Sequence, residues 1–554
     1  MDAPFSQNTR ARHLAAMAAD PVDLLVVGGG ITGAGVARDA AMRGLRTALV
    51  DKEDFGSGTS GRSCRPIHGG LRYLEQGDWR LVMEASRERR TLLSIAPHLV
   101  WPRSFLFPIH AGGRLPLWKL AAGLWVYDLL ALFRNVRPHR ALSKRALRRA
   151  EPSLRSHDLK GGARYFDAQC DDARLTLANI RSAHEHGAMV ANYAAAERLA
   201  VADGTVRGAH LVDQLSRQTF TVRALVVVNA TGPWSDQVRG SDGLPPLLRR
   251  TKGAHVAVPR SRLGNHEAIA LISPIDGRVM FILPWGNLSY IGTTDTDTTE
   301  EPDTVRATAE DVIYLLRSAN AYYPEARLQP SDVVSTWAGL RPLLRADDSA
   351  SPSALPREHR IVDSASGLIS IVGGKLTTYR VMAAQVVDRV ARRLQQLDGR
   401  RLPGRAPTDQ EPLPGGAVHD LAVLARDIER EGFTSEVAEH LVRCYGSEAP
   451  AVARLGRSDV TLRRPIVPGH PALRAELVHA IQREMAVTLV DLLVRRTHVF
   501  YETPGHAVAE APELVELAAR ELNWDAARKA VELTAYLKEV ERSIAFLSEL
   551  AAPG

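Results

Sequence analysis

Apolar and polar positions along this chain fall into three textures. The first is a set of short apolar runs, each ended by turn-forming residues and followed by helix-like sequence. Leu24-Leu25-Val26-Val27 leads into Gly28-Gly29-Gly30 and a small-residue helix over 36–42. Leu225-Val226-Val227-Val228 leads into Asn229-Ala230-Thr231-Gly232-Pro233-Trp234. Leu368-Ile369-Ser370-Ile371-Val372 leads into Gly373-Gly374-Lys375-Leu376-Thr377-Thr378, with a helix over 379–397 behind it. Uninterrupted apolar runs of this length suit buried parallel strands, which are covered on both faces. Their wide separation predicts one sheet interrupted by insertions. The second texture spans 251–295, where Val256, Val258, Val279, Phe281, Leu283 and Ile291 sit in short runs divided by Pro, Gly and Asp. That pattern predicts a meandering antiparallel sheet. The third begins beyond the Arg-, Pro- and Gly-rich stretch 400–407, where Ala, Leu, Glu and Arg recur with helical periodicity.

These textures predict an α/β plus α+β protein. A discontinuous nucleotide-binding domain takes 21–98, 150–250 and 360–398. An antiparallel-sheet substrate domain takes 99–149 and 251–359, and a helical C-terminal domain takes 408–554. The first 20 residues carry Asp2, Arg10, Arg12, His13 and Asp20 without a long apolar core, and read as a flexible leader.

The first glycine turn carries chemistry. Gly28-x-Gly30-x-x-Gly33 stands between a strand and a helix, the context a dinucleotide site requires. The first glycine permits the tight turn, the second admits a pyrophosphate, and the third lets helix and strand pack closely. Asp51, 23 residues beyond Gly28, ends the next apolar run, where a carboxylate can accept from a ribose hydroxyl. Read alone, the motif leaves NAD and FAD both open. Gly56-Ser57-Gly58-Thr59-Ser60-Gly61-Arg62-Ser63 adds a hydroxyl-rich turn able to wrap a larger cofactor.

Composition narrows the picture little. The 554 residues are 45% hydrophobic and 24% charged, ordinary for a globular protein of several domains. A net charge of +7 permits attraction to phosphates, nucleic acid or anionic lipid without choosing among them. Nucleic acid is set aside, because the basic run 134–149 lacks a recognition motif. Three scattered cysteines, Cys64, Cys170 and Cys444, with no Cys-x-x-Cys, argue against a disulfide framework or a zinc site. No metal ligand set is expected. No uninterrupted 18-residue apolar run exists, so a spanning helix is not expected.

The motifs jointly resemble a known family. Gly28–Gly35, Ile67-His68-Gly69-Gly70-Leu71-Arg72-Tyr73-Leu74-Glu75, Ala96-Pro97-His98-Leu99, Asp171-Asp172-Ala173-Arg174-Leu175 and Asn229–Trp234 come first. Lys252-Gly253-Ala254-His255, Ile291-Gly292-Thr293-Thr294-Asp295, Ala338-Gly339-Leu340-Arg341-Pro342-Leu343 and Gly373–Arg380 follow in order. The chain is similar to the FAD-dependent, respiratory, membrane-associated glycerol-3-phosphate dehydrogenases of bacteria. The resemblance implies an FAD-binding fold of the glutathione-reductase and amino-acid-oxidase type. Gly28, Gly30, Gly33 and Asp51 would then hold the adenosine and pyrophosphate end of FAD. Thr59, Ser60, Ser63, Thr231, Gly232 and Gly374 would line the cofactor, with Lys375, Leu376 and Thr377 at the flavin's polar edge. It implies glycerol 3-phosphate as substrate, bound by Arg72, Tyr73, Arg341, Arg357 and Lys375; guanidinium forks suit a phosphate dianion. A proton acceptor with a pKa near working pH favours histidine, His255 first and His68 second, with Arg341 polarising the alcohol.

The family also implies a ubiquinone or menaquinone acceptor, hence a cytoplasmic protein lying peripherally on the inner face of the cell membrane. The segment 115–133, rich in Leu, Trp and Tyr and followed by Arg134, Arg137, Arg140, Lys144, Arg145, Arg148 and Arg149, suits contact with an anionic membrane surface. A buried helix followed by a solvated basic one reads the same residues equally well. A homodimer stays open. One departure stands out: Ser63-Cys64-Arg65-Pro66 replaces the family's Ser-Ser-Lys-apolar word, and Pro66 removes an N–H. Alternatives are a glycerol-3-phosphate oxidase using oxygen, an amino-acid or amine oxidase on the same fold, and an FAD-bound, non-catalytic membrane scaffold.

Overall fold

The computed structural model describes residues 4–70, 77–113, 115–131, 135–345 and 358–551. Two sheets and a helical region organise them. In the first sheet the strands lie in the order His359–Asp363, Ile369–Gly373, Thr219–Asn229, Val22–Val27, Thr47–Val50 and Met189–Ala191. All these neighbours pair in parallel except the first two. The central strands are buried on both faces, which is why they read as continuous apolar runs. The small-residue helix Ile31–Met42 packs beside the helices Asp172–Glu185 and Tyr379–Asp398, joining Ala34, Ala37 and Ala40 to Ile180, Val386 and Val390 in one core. The strands Ala194–Ala202 and Thr205–Asp213 extend this sheet as an antiparallel flap.

The second sheet has ten strands, nearly all antiparallel. Near one edge lies Leu248–Pro259, flanked by Leu288–Gly292 on the inner side and Ser335–Leu344 on the outer. The long hairpin Val100–His110 with Leu159–Cys170 completes it through a parallel pairing to Ala268–Ile272. Two boundaries therefore need correction. Leu159–Cys170, expected in the nucleotide-binding part, is a strand of the second sheet, and so is the short Pro66–Ile67. Both lie inside stretches whose sequence texture follows the first sheet, and only their ladder partners reveal where they belong.

The expected flexible leader is also corrected. Gln7–Ala19 is a helix, with Met17 fully buried and Phe5 stacked near Phe55. Its charges hid it. Arg10, one of the charges that made this stretch read as a leader, is buried, donates to the Asn192 carbonyl at 2.8 Å and pairs with Asp213.

The C-terminal region is helical, with helices Leu421–Arg430, Ser435–Tyr445, Ala449–Ser458, Arg474–Arg483, Ala511–Leu522 and Ala526–Ala551. Local signals start several of them: Asp420 accepts from the Ala422 and Val423 N–H groups, and Thr434 from Val437. This region shares one apolar core with the second sheet, in which Tyr290 and Trp337 meet Leu492, Phe500 and Tyr501. Its joint with the first sheet is ionic instead. Arg174 binds Glu484, Arg181 binds Glu448, and Asp54 sits between Arg495 and Arg496.

Candidate active site

The glycine turn sits where the first sheet's parallel strands end. Gly28 adopts φ +110°, and a Cβ on Gly33 would overlap the Gly28 carbonyl, so the turn admits no side chain at either position. Helix Ile31–Met42 starts at Gly30, which offers no capping side chain; the Ile31 N–H donates to Ser60 Oγ at 2.9 Å, and Gly30, Ile31 and Thr32 open onto a cleft of about 370 Å³. The N-terminus of a helix favours an anion. The same cleft is lined by Gly28, Asp51, Thr59, Ser60, Ser63, Thr231, Gly232, Gly374, Lys375 and Leu376, drawn from five separate stretches. Gly33 and Thr377 lie behind this wall, Gly33 under the turn and Thr377 buried in the turn Leu376–Thr378.

Asp51 accepts from Gly29 N at 2.6 Å and from Glu53 N at 2.9 Å. Burial raises its pKa to about 7 against the pull of these two donors. The donors hold the carboxylate beside the glycine turn, where a ribose hydroxyl could meet it. The helix start, the hydroxyl turn and the cations Lys52, Arg198 and Lys375 together fit a large phosphate-bearing cofactor.

The second sheet closes on this cleft through Gly339. A Cβ at Gly339 would stand 3.3 Å from the Arg62 carbonyl and 3.7 Å from Thr59 Cα, so strand Ser335–Leu344 runs close against this turn, and the Thr59 hydroxyl donates to the Leu340 carbonyl at 2.5 Å. Side chains two apart share a sheet face, so Trp337 and Arg341 lie on the face of Gly339 that meets the turn. Across the ladder His255 pairs with Trp337, and Thr251 with Arg341. Arg341 lies over Gly253. Asp295 at 3.1 Å, Thr293 Oγ1 at 3.0 Å and the Thr294 carbonyl at 3.2 Å fix its guanidinium.

His255 is fully enclosed and stacks on the Trp337 ring at 5.2 Å and 11°. Neither ring nitrogen has a hydrogen-bond partner among the described residues. Burial, then the charges of Arg341 and Arg65, lower its pKa to about 3. The imidazole is therefore neutral at neutral pH, although its pKa falls far below the near-neutral one expected of a proton acceptor. His68 is half-buried, with its ring 6.5 Å from that of Phe281, on a turn whose Gly69 N–H donates to the Tyr127 hydroxyl at 3.0 Å. Arg72, Tyr73 and Arg357 lie outside the described residues.

Two features were not read from the sequence. The flap residues Ala196–Leu199 line the cleft, and Asp303 joins Lys52 to Trp234, whose Nε1 donates to it at 3.0 Å. Neither has a local signature, since both depend on elements remote in the chain. At the departure from the family word, Arg65 is buried, with its guanidinium 4.0 Å above the Trp285 ring. A planar cation suits that stacking better than an ammonium group.

The comparisons agree with this architecture. Residues 23–380 match the family model described as FAD dependent oxidoreductase, and 406–529 match the C-terminal domain of alpha-glycerophosphate oxidase. An aerobic glycerol-3-phosphate dehydrogenase of Staphylococcus haemolyticus is 35% identical over 514 residues, 91% of each chain. That of Bacillus subtilis is 36% identical over 535 residues, covering 95% of this chain and 96% of its own. A crystal structure of the glycerol-3-phosphate dehydrogenase from Bacillus halodurans, complexed with FAD, superposes with a TM-score of 0.81 at 33% identity, covering 98% of this chain and 99% of that one. With the cofactor cleft, the sheet that closes on it and the C-terminal helices all accounted for over nearly the whole length, the chain belongs to the family of FAD-dependent glycerol-3-phosphate dehydrogenases.

Proposed function

We propose that this protein oxidises sn-glycerol 3-phosphate to dihydroxyacetone phosphate and passes the electrons to a membrane quinone, ubiquinone or menaquinone. The observation that carries the chemistry is the meeting of two surfaces at Thr59 and Gly339. On one side is a cleft suited to FAD; on the other is a sheet face bearing a fixed arginine and an enclosed, neutral histidine. Bound FAD would supply the hydride acceptor. Arg341 is pre-oriented by Asp295 and Thr293, so it can engage a phosphate or polarised alcohol without further ordering. His255 takes the hydroxyl proton in this reading. Burial is the larger cause of its depressed pKa; a bound dianion would offset the lesser part due to Arg341 and raise the pKa from there. Lys375, on the cleft wall, supplies positive charge where reduction of the cofactor builds negative charge.

Contact with the membrane is supported by helix Leu117–Leu130. Trp118, Trp125 and Leu129 are 73%, 61% and 57% exposed, and their spacing of seven and four residues puts them on one face. The neighbouring helix Trp79–Ile95 adds Trp79 and Met83, also exposed. Arg137, Arg140, Lys144, Arg145, Arg148 and Arg149, all exposed, follow in sequence. An apolar face with a basic flank suits an anionic bilayer surface. Among the described residues no helix is long and apolar enough to cross a membrane.

Anaerobic addition of glycerol 3-phosphate should bleach the flavin absorbance, and a holoprotein that stays yellow would overturn the proposed reaction. Bleached enzyme should then reoxidise faster with a quinone analogue than with oxygen. Stoichiometric peroxide release would favour the oxidase reading instead. In flotation assays the protein should rise with anionic liposomes, and Trp118→Ala with Trp125→Ala should abolish this. Failure to float at any salt concentration would overturn the membrane reading.

A further inference from the structure

Outside the cleft lining, the C-terminal helices bring together three side chains of metal-ligating type. His440 and Cys444 are four residues apart on helix Ser435–Tyr445 and so share one face. Glu476, in the first turn of helix Arg474–Arg483, faces them. One ligand atom from each of the three lies within 4.8 Å of the others. His440 Nε2 stands 3.0 Å from Glu476 Oε2 and 3.9 Å from Cys444 Sγ. Around a tetrahedral zinc with ordinary bond lengths, neighbouring S, N and O ligands sit roughly 3.4–3.6 Å apart. The triangle therefore needs adjustments of about an ångström or less, within reach of a rotation at the Cys444 side chain.

The surroundings also suit an ion. The Glu476 carboxylate is fully buried yet oriented by two donors, Leu473 N at 2.6 Å and the Tyr445 hydroxyl at 3.0 Å. Such outer contacts fix a ligating carboxylate and still leave lone pairs for a metal. His440 and Cys444 are only half-buried, which gives a solvated ion a way in. His470 has its ring 6.2 Å from that of His440 but is held by Glu502 at 3.1 Å. A fourth position is thus left for water. One thiolate, one imidazole and one carboxylate select a borderline-soft divalent ion over calcium or magnesium.

The geometry points to a zinc-class divalent cation site formed by His440, Cys444 and Glu476, which ties helix Ser435–Tyr445 to the start of helix Arg474–Arg483. The sequence concealed it. Two ligands are spaced as on any helix and the third is 32 residues on, so no zinc-binding spacing is visible. The bland alternative is a plain His440–Glu476 ion pair beside an unconnected thiol.

The test uses full-length holoprotein, stripped with a chelator and desalted, then titrated with Zn²⁺ against a chromogenic competitor and separately with Co²⁺. We expect one equivalent per chain, a sulfur-to-cobalt charge-transfer band, and a higher thermal midpoint with metal. Cys444→Ser should abolish the band, and His440→Asn should lower zinc affinity at least tenfold. Flavin reduction by the usual substrate should be unchanged in both variants, since neither residue touches the cleft. Absence of stoichiometric binding by the unmodified protein would overturn the proposal whatever the variants do. Binding that survives unaltered in both would overturn it equally.

Discussion

Asp54 offers the sharpest test of how the C-terminal region serves the cofactor cleft. It lies on the segment that runs from Asp51 to Ser63, of which Asp51, Lys52, Gly56 to Ser60 and Ser63 line the cleft. Its carboxylate is fully buried and accepts from Arg495 Nε at 2.6 Å, Arg496 Nη1 at 2.7 Å, Arg496 Nη2 at 3.0 Å and Asn192 Nδ2 at 3.0 Å. Both arginines belong to a buried π-helical turn, Asp491–Arg496, in the C-terminal region. Burial alone would raise this carboxyl's pKa, but Arg496 and Arg495 outweigh it and hold it well below the usual range. Asp54→Asn keeps the shape and removes the charge, leaving Arg495 with Asp491 alone and Arg496 with only the more distant Glu484, 3.8 Å away. Breaking one side of a buried pair costs about 3–5 kcal/mol. If the C-terminal region unfolds as its own unit of about 150 residues, that is a fall of about 6–20 °C in its midpoint. Differential scanning calorimetry should show that fall, and flavin fluorescence on heating should report FAD release at a correspondingly lower temperature. Asp427→Asn, which removes an exposed pair with Arg430, is the control and should shift neither by more than about 1 °C. An Asp54→Asn protein with unchanged midpoint and unchanged FAD release would refute the argument that this ionic joint holds the loop.

Three further outcomes are expected. Gly33→Ala sets a methyl against the Gly28 carbonyl, so the turn must open; FAD should be lost on gel filtration, with destabilisation of about 1–3 kcal/mol, and a yellow, stable variant would count against this turn as the seat of FAD. Arg341→Lys keeps the charge but loses the fork held by Asp295 and Thr293. About 1.5–3 kcal/mol of charged hydrogen bonding, roughly 10–150-fold in kcat/KM for glycerol 3-phosphate, should go with it, and an unchanged value would remove Arg341 from the site. His98 and His255 are both lowered to about 3, mainly by burial, then by Arg174 at His98 and Arg341 at His255. Below about pH 6.5 the unfolded chain takes up these protons first, so these two groups pull stability down from there toward pH 3, while Asp51, with its raised pKa, works the other way between about pH 7 and 4. Urea midpoints of the protein and of His98→Gln at several pH values check this, and a variant with the same loss of stability between about pH 6 and 4 would refute it.

The local sequence carried the parts whose physics is local. A strand feeding a glycine turn and a helix can be read at Gly28–Gly33, because the tight turn and the close packing each exclude a side chain at a fixed spacing. The continuous apolar runs at 24–27, 225–228 and 368–372 announced a parallel sheet, since strands covered on both faces need no polar positions. Helix starts such as Asp420 and Thr434 are equally local. Sequence texture failed where charge is buried in pairs. Arg10 made Gln7–Ala19 look like a leader, and only Asp213, some 200 residues away, explains why that arginine lies inside. Leu159–Cys170 went to the wrong sheet because a strand's apolar pattern does not say which ladder it joins.

The candidate site divides the same way. Which residue types it contains was legible from motif words along the chain. How they meet was not: the approach through Gly339, the Asp303 bridge between Lys52 and Trp234, the enclosure that makes His255 neutral, and the His440–Cys444–Glu476 triangle all join residues far apart in sequence. Turn geometry and strand burial are settled within a few residues, and so the sequence alone determined them. Distances between side chains on different elements, and the burial that sets their charge, exist only once the sheets and helices have packed.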